Sequence, residues 1–299
     1  MILQHHRKID KSRWDKLVDS DQKALVFNKS YYLDAVCDNW YLYHDDLYSC
    51  GIVVCSTTKL GISSVFPPFF HRSCDLVGDS RVFKMEDFES ILLTNFKYGI
   101  FQTSQLFPFK NILQRKDLFF QELSEDIVLS NQAKRKMKNV EKHFKVELKF
   151  NINPEDLIAL IFKVLPAKVG FFKTKSSHSI KKLIHQAGLM GDLYSIGGFI
   201  DGNLVGGLFA LKYKGRMIYL KGACKNEFLN VGMMYYLMNA LIVKTKKDNL
   251  VFDFGGSNIE GIKYFNSKFG SKDISYNMYK WNNSPFWFKA LMGLKNIIK

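Results

Sequence analysis

A hairpin pattern in the second half of the chain is the feature that most constrains the fold. Two apolar runs, at residues 193–200 and 204–213, are separated by Asp201, Gly202 and Asn203. Asp-Gly between apolar runs is a strong signal for a tight turn between antiparallel strands. The chain is therefore expected to build an antiparallel sheet here.

Helices and strands are predicted on both sides of this hairpin. After it, the patterns predict a strand at 216–224, a helix at 232–247, a strand at 250–254 and a helix at 259–267. We therefore expect an α/β (α+β) fold with two domains, residues 1–128 and 129–299, each a mixed central sheet flanked by helices. The other predicted helices cover 14–18, 30–36, 85–95, 131–142, 154–164 and 179–187, and the other strands cover 47–55, 61–66, 98–103 and 146–150.

Three short polar residues, Ser30, Ser130 and Asn153, precede predicted helices and are expected to be their N-caps. The helix after Ser130 is strongly basic, with five positive charges within the nine residues 134–142. It has a narrow apolar stripe and is expected to join the two domains. Its charges have two interpretations, a solvated face of a linker helix or a ridge that faces phosphate groups.

The charge and composition limit the class of protein. With 43 Lys and Arg against 28 Asp and Glu, the net charge is +15, which favours polyanionic partners such as nucleic acid, acidic lipid or a phosphorylated carrier. A hydrophobic fraction of 47% with 15% aromatic residues excludes a disordered chain. No apolar run is long enough to cross a membrane, and residues 1–8 do not resemble a signal peptide.

The cysteines and histidines indicate a reduced protein without a metal centre. The five cysteines include no C-x-x-C pair, so buried thiols and a cytoplasmic location are expected. The seven histidines lack H-E-x-x-H spacing, and Asp19 and Asp21 lie in a polar stretch rather than at a strand end. We therefore predict no metal site. A phosphate-binding loop, a nucleophile elbow and a dinucleotide fingerprint are also absent.

The order of elements and one motif resemble a known family. Residues 251–265 read VFDFGGSNIEGIKYF and are followed by Phe269-Gly270. This stretch is similar to the strand, "DF-x-G-S" and "F-x-x-x-FG" pattern of the FemAB-like branch of the GNAT acyltransferase superfamily. The basic helix resembles the helix that precedes the second domain of those proteins, and the first half, with Trp40 and residues 66–70, resembles their degenerate first domain.

The resemblance implies two GNAT-like domains and transfer of an acyl group from a carrier to an amine. In such folds a splayed strand pair binds the extended arm of acetyl-CoA or another acyl-CoA, and a helix N-terminus receives its phosphates. Here the strand would be 216–224, and the carrier-binding candidates are Tyr219, Lys221, Asn230, Val231, Gly232 and Met233.

The candidates for catalysis lie around the last strand of the second domain. An amine must be neutral to attack, so the site needs a base, and the leaving group needs an acid. Asp253 and Glu260 are candidates for orienting or deprotonating the acceptor, while Tyr264 and Tyr219 could donate a proton. Each also has a structural interpretation: a helix cap for Asp253, compensation of a helix dipole for Glu260, and core packing for the tyrosines. Cys224 is expected to be inert.

Three functions remain open at this point. The first is acyl transfer from acyl-CoA to a small-molecule or peptide amine, for instance in synthesis of cell-envelope precursors. The second is aminoacyl transfer from aminoacyl-tRNA, as in FemAB enzymes, which the basic helix favours. The third is an inactive binding module for tRNA or an anionic membrane surface, in which Gly255 replaces an acidic residue of relatives. No DNA binding is expected.

The C-terminal tail allows a further partner. Residues 284–299 are aromatic and basic, with Pro285, Phe286 and Trp287 near their start. The tail could lie on an anionic bilayer as an amphipathic helix, or it could pack across the domain junction.

Overall fold

The computed structural model describes residues 1–123, 128–164, 174–255 and 259–290 and divides into two compact units. Unit 1 is Met1–Leu118 with Ser275–Lys299, and unit 2 is Phe119–Ile274. This division differs from the predicted boundary between residues 128 and 129, because the C-terminal segment belongs with the first part of the chain.

Unit 1 is built on an antiparallel sheet with one parallel pair. The elements are β1 (Ile2–His5), α1 (Lys11–Ser20), α2 (Ser30–Val36), β2 (Asn39–His44), β3 (Cys50–Lys59), β4 (Ile62–Val65), β5 (Val77–Gly78), α3 (Met85–Asn95), β6 (Tyr98–Thr103) and, much later in the chain, β13 (Ser271–Asn282). The strands lie in the order β1-β2-β3-β4-β6-β13, with β5 paired to β3, and only β4 and β6 run parallel among the described pairs.

The core of unit 1 is aromatic. Trp14, Trp40 and Phe88 are fully buried, and Trp281 of β13 covers Gly99 so closely that a Cβ there would lie 2.1 Å from its ring. Rings of this size dominate the burial of apolar area in a domain. The aromatic residues of the first half are therefore mostly explained by packing.

Unit 2 contains the predicted hairpin at the centre of its sheet. Its strands lie in the order β7-β12-β11-β10-β9-β8, with β11 and β12 parallel and the other described pairs antiparallel. The elements are β7 (Leu113–Leu123), α4 (Asn131–His143), β8 (Glu147–Phe150), α5 (Pro154–Val164), α6 (Thr174–Leu189), β9 (Leu193–Ile200), β10 (Asn203–Tyr213), β11 (Arg216–Cys224), α7 (Asn226–Leu229), α8 (Met233–Lys247), β12 (Val251–Asp253), α9 (Glu260–Ser267) and β13 (Ser271–Asn282), which continues into unit 1.

The core of unit 2 lies between α8 and the sheet. Leu237 and Leu241 of α8 pack with Leu208 of β10 and Met217 of β11. Val140 of the basic helix α4 joins the same cluster, so α4 is a packed part of unit 2. The predicted stripe on α4 is thereby confirmed.

Two of the three predicted helix caps are present. The Ser130 side chain accepts a hydrogen bond from the Ala133 amide, and Asn153 Oδ1 accepts one from the Glu155 amide. The prediction for Ser30 was wrong. Ser30 is the first residue of α2, and its amide and hydroxyl both donate to the carboxylate of Asp15.

Within the described residues, no helix has the length and apolar character needed to span a membrane. In the C-terminal tail, Phe286 is 86% exposed while Phe288 is buried. Residues 291–299 lie outside the described part of the chain, so the predicted amphipathic tail stays a prediction.

Candidate functional site

Strands β11 and β12 of unit 2 are paired over only a short distance. The register joins Arg216 to Val251, Met217 to Phe252 and Ile218 to Asp253, while β11 continues to Cys224. From Tyr219 onward the described chain shows no ladder between them. Among the described residues, β11 therefore leaves its pairing with β12 after Ile218.

A bulge in β11 accompanies this separation. Phe209 of β10 lies opposite Lys221, and the next residue, Ala210, lies opposite Tyr219, so Leu220 is an extra residue on β11. A bulge bends its strand and increases the local twist. The bend begins at the residue where the pairing with β12 ends.

Gly255 lies two residues after β12 and beside Tyr219 of β11. It has φ of 81°, and a Cβ on it would lie 2.5 Å from the carbonyl oxygen of Tyr219. Glycine reaches this backbone conformation without steric cost, and any side chain would collide with the neighbouring strand. The backbone therefore explains why Gly255 is a glycine, and its presence is no sign of lost activity.

Asp253 is the last residue of β12 and is fully buried. Its Oδ1 accepts a hydrogen bond from the Gly255 amide at 2.8 Å, and its Oδ2 lies 4.0 Å from the guanidinium of Arg216. Charge and hydrogen bonding together allow a carboxylate to remain buried. Asp253 therefore holds the turn at which the strands separate.

Tyr219 and Lys221 both belong to the part of β11 that has left β12. Burial raises the pKa of the Tyr219 phenol above its ordinary value, although the Gly222 amide opposes this shift. Burial lowers the pKa of Lys221. Tyr219 therefore keeps its proton at neutral pH and is able to donate it.

The predicted phosphate-binding residues lie at the start of α8. Gly232 is the N-cap residue, with φ of 116°. Asn230 is exposed, Val231 is partly buried, and the Met233 side chain is in the core. The first amides of a helix lack partners within it, and the helix dipole adds positive potential there.

The basic helix α4 supports the segment that leads into α8. Lys136 Nζ donates to the carbonyl of Asn230, and Asn139 Nδ2 donates to the carbonyl of Val231 at 3.1 Å. A Cβ on Gly232 would lie 2.8 Å from the Lys136 carbonyl oxygen, so glycine is needed for this close approach. These two side chains were not predicted, because only the charge of the helix was apparent from the sequence.

The basic side chains of α4 that do not contact the segment before α8 face solvent. Lys134, Arg135, Lys138 and Lys142 are exposed, whereas Ala133 and Val140 are fully buried. A basic face of this kind attracts phosphate groups.

The other predicted residues lie in different surroundings. Glu260 is exposed at the first position of α9, directly after residues 256–258, which are outside the described chain. The Tyr264 hydroxyl donates to Gln132 Oε1 of α4 at 3.2 Å, and Lys268 Nζ lies 3.6 Å from the Tyr264 ring centroid. Cys224 is buried in the core.

The sequence of this region matches a family of known proteins. Residues 129–264 match the family model described as an acetyltransferase (GNAT) domain. This part of the chain is GNAT-like. The predicted resemblance to the GNAT superfamily is thereby confirmed, and the matched region contains β11, β12, α8 and the start of α9. No curated protein matches the chain.

Solved structures extend the similarity to both units at the level of the fold. FemX has a TM-score of 0.61 at 11% identity and covers 93% of this chain and 97% of its own. The C-terminal DUF2156 domain of a protein described as a lysylphosphatidylglycerol synthetase from Agrobacterium fabrum has a TM-score of 0.61 at 11% identity, with 97% and 96% coverage. A tandem GNAT protein from the clavulanic acid biosynthesis pathway has a TM-score of 0.52 at 9% identity, with 95% and 99% coverage. The predicted fold of two GNAT-like domains is confirmed.

Proposed function

We propose that unit 2 transfers an acyl group from acetyl-CoA or another acyl-CoA to an amine. The observation that carries this proposal is the separation of β11 from β12 after Ile218, in the strand that leads through α7 into α8. The part of β11 that has left the ladder with β12 offers backbone hydrogen-bonding groups to the extended arm of the donor. The first amides of α8 offer a site for its phosphates.

The proposed reaction needs one base and one acid. The amine nitrogen attacks the thioester carbonyl, the C–N bond forms, and the C–S bond breaks to release the thiol of CoA. Glu260, exposed at the start of α9, takes the proton from the amine, and the Tyr219 phenol gives one to the leaving sulfur. Asp253 acts as a positioning residue through the Gly255 amide.

The remaining candidates have binding roles in this proposal. Tyr264 lies one turn after Glu260 on α9, so its hydroxyl is on the same face of the helix as the Glu260 carboxylate. Lys221 contributes a positive charge beside Tyr219, and Asn230 to Met233 form the phosphate end of the site. The expected acceptor is a small-molecule or peptide amine. We expect the activity in the cytoplasm, where thiols such as the five free cysteines stay reduced.

Donor binding is tested by substituting two glycines that share a left-handed conformation. Gly255→Ala places a methyl group against the Tyr219 carbonyl oxygen, whereas Gly202→Ala places one in open space at a φ of 75°. We expect acetyl-CoA to bind the wild-type protein and Gly202→Ala equally in calorimetry. We expect Gly255→Ala to bind at least about tenfold more weakly, because its turn must move.

Either of two results would contradict the proposal. One is the absence of any heat of binding or thermal stabilisation of the wild-type protein by saturating acetyl-CoA and free CoA. The other is equal affinity of Gly255→Ala and wild type for acetyl-CoA.

A second candidate function is aminoacyl transfer from aminoacyl-tRNA, which the FemAB resemblance implies. The observation that favours it is the exposed basic face of α4, whose neighbouring residue Lys136 supports the start of α8. A polyanion bound along α4 would have its charges beside the proposed donor site. Electrostatic binding of this kind weakens steeply as salt increases.

Two matched double variants test the tRNA donor. Lys134→Ala with Lys138→Ala removes two charges from α4, and Lys247→Ala with Lys272→Ala removes two exposed charges elsewhere in unit 2. If aminoacyl-tRNA is the donor, the α4 variant loses affinity for it and has a smaller salt dependence, while the control stays close to wild type. Equal loss in both variants, or no tRNA binding, would count against this candidate.

A further inference from the structure

Three buried metal-ligating side chains meet in unit 1, away from the site described above. Cys55 lies on β3, while His71 and Cys74 lie in the segment that follows β4. One ligand atom from each lies within 4.8 Å of the others, and all three residues are less than one tenth exposed. No metal site was predicted from the sequence, because its histidines lack H-E-x-x-H spacing and its cysteines include no C-x-x-C pair.

We propose that Cys55, His71 and Cys74 bind a zinc ion, with Cys37 as the fourth ligand. Structural zinc sites in proteins are four-coordinate and use Cys and His in combinations that include three cysteines with one histidine. The Cys37 thiol is hydrogen-bonded to the Cys55 thiol, and Cys37 is the residue that ends α2. All four residues therefore belong to one unit and come from β3, from the end of α2 and from one connecting segment.

The distances fit a metal better than a disulfide. The Cys55 and Cys74 sulfur atoms are 3.9 Å apart. Two sulfur atoms at about 2.3 Å from a tetrahedral zinc ion are about 3.8 Å from each other. A disulfide would require about 2.05 Å. The two thiols already have the separation of zinc ligands.

The histidine is oriented in the manner of a metal ligand. His71 Nε2 lies 3.1 Å from the carbonyl oxygen of Phe27. A carbonyl only accepts, so Nε2 carries the proton and Nδ1 keeps the lone pair that a metal needs. Hydrogen bonds of this kind orient the ligating histidines of metalloproteins and select their tautomer.

A buried cation, Arg72, and a carboxylate, Asp75, both act on the proposed ligand His71. Three thiolates, one neutral imidazole and one zinc ion carry a net charge of −1. Arg72, adjacent to His71, is buried, and its guanidinium lies 4.9 Å from the Phe27 ring centroid and interacts electrostatically with His71. A small cavity lined by Cys55, His71 and Cys74 together with apolar side chains adjoins the cluster.

The binding step involves protons and no redox change. Zinc displaces one proton from each of Cys37, Cys55 and Cys74, and these protons are released to solvent while His71 binds as the neutral ring. Zinc has a single stable oxidation state in proteins, so no oxidant or reductant is needed.

The test uses the full-length protein with zinc and cobalt ions as probes. Protein produced in zinc-containing medium and purified without chelators should contain about one equivalent of zinc by atomic emission. After removal of the metal, Co²⁺ titration should give the absorption bands of tetrahedral cobalt together with thiolate-to-cobalt charge transfer. A protein without stoichiometric zinc and without these bands would overturn the proposal.

Matched cysteine variants locate the site. Cys74→Ala should lose the zinc, and Cys37→Ala should bind it at least about tenfold more weakly. Cys50→Ala, at a buried cysteine on the same strand as Cys55, should keep a full equivalent. Zinc retained in Cys74→Ala, or a Cys55–Cys74 disulfide in freshly purified protein, would contradict the assignment. If Cys74→Ala does not fold, the cobalt spectrum of the wild-type protein still decides the number of thiolate ligands.

Discussion

Each unit has a parallel strand pair in its sheet, and the two pairs differ in what lies beyond the last paired residue. In unit 1, β4 and β6 pair at Ser64 with Tyr98 and at Val65 with Gly99. The segment after β4 then returns to β6, where the Cys74 amide donates to the Gln102 carbonyl at 2.7 Å. In unit 2, β11 continues directly into α7, and its described pairing with β12 ends at Ile218.

The two parallel pairs differ in what holds the chain beyond their last paired residues. We call β4 and β6 of unit 1 the closed pair and β11 and β12 of unit 2 the open pair. In unit 1, Asp75 fixes the returning segment by accepting hydrogen bonds from Thr103, at the end of β6, and from the amide of Ser104. In unit 2 the buried carboxylate at the end of β12, Asp253, accepts a hydrogen bond from the Gly255 amide, two residues further along its own segment. The closed pair is suited to a structural centre, and the open pair is suited to a ligand.

Tryptophan fluorescence gives a signal for the unfolding of unit 1, so the two strand pairs can be studied separately. All of the chain's tryptophans belong to this unit. Tryptophan fluorescence therefore reports on the closed pair, while donor binding and activity report on the open one. The tryptophans are Trp14, Trp40, Trp281 and Trp287.

The largest effect is expected from Asp75→Ala in unit 1. The substitution leaves the Ser73, Thr103 and Ser104 donors without their acceptor inside the protein. We expect the free energy of unfolding, measured by denaturant and tryptophan fluorescence, to fall by about 3 kcal/mol. Asp46→Ala, at an exposed carboxylate of the same unit, should change it by less than about 0.5 kcal/mol. Equal effects of the two substitutions would show that the returning segment is not held by Asp75.

The second prediction concerns the acid in the open pair. Tyr219→Phe keeps the ring in place and removes the proton donor, so we expect kcat of acyl transfer to fall by about 10²-fold with little change in KM. Tyr213→Phe, at a buried tyrosine of the same hairpin, should retain the wild-type kcat. A wild-type kcat in Tyr219→Phe would remove this residue from the chemistry.

A smaller effect is expected at the cap of α4. Ser130→Ala removes the acceptor of the Ala133 amide and should lower the stability of unit 2 by about 1 kcal/mol, measured by circular dichroism during denaturation. Ser130→Asp restores a capping oxygen and should restore the stability. Because α4 supports the start of α8, acetyl-CoA affinity should follow the same order. A stable Ser130→Ala protein would show that packing alone holds α4.

The smallest effect is a pH dependence in unit 1. His44 is buried, and burial lowers its pKa from 6.5 despite the hydrogen bond to the Asp45 carbonyl. The unfolded chain therefore binds more protons than the folded one as pH falls below 6.5, and stability declines in that range. His44→Gln should flatten part of this decline in fluorescence-monitored unfolding between about pH 5 and 7. His143→Gln, at an exposed histidine in unit 2, should leave the decline unchanged.

Local patterns predicted much of the secondary structure. The Asp-Gly turn gave the hairpin of β9 and β10, and the helix after Asn153 begins and ends at the predicted residues, Pro154–Val164. The signals involved are turn chemistry, capping and periodicity, each contained within about a dozen residues. The prediction for Ser30 was wrong because its hydroxyl is bound by Asp15, a tertiary partner that a local pattern does not include.

The features that were not predicted depend on contacts between residues that are far apart in the sequence. Strands β2 and β13 were missed, and Trp281 of β13 pairs with Gly99 across most of the chain. The reason for glycine at position 255 is the carbonyl of Tyr219, which is distant in sequence. The Cys55, His71 and Cys74 cluster was also missed, although the H-x-x-C spacing of its last two members was a usable signal.

The pairing of β13 with β6 has a consequence for protein synthesis. Residues 1–118 emerge from the ribosome before residues 119–274, but β6 lacks its partner strand β13, and Gly99 lacks the Trp281 ring, until residues 275–282 are made. Residues 119–274 emerge as one uninterrupted stretch in the meantime. During translation the later unit is therefore complete before the earlier one, and a ribosome that stalls before residue 281 leaves an unfinished first unit attached to a finished second unit.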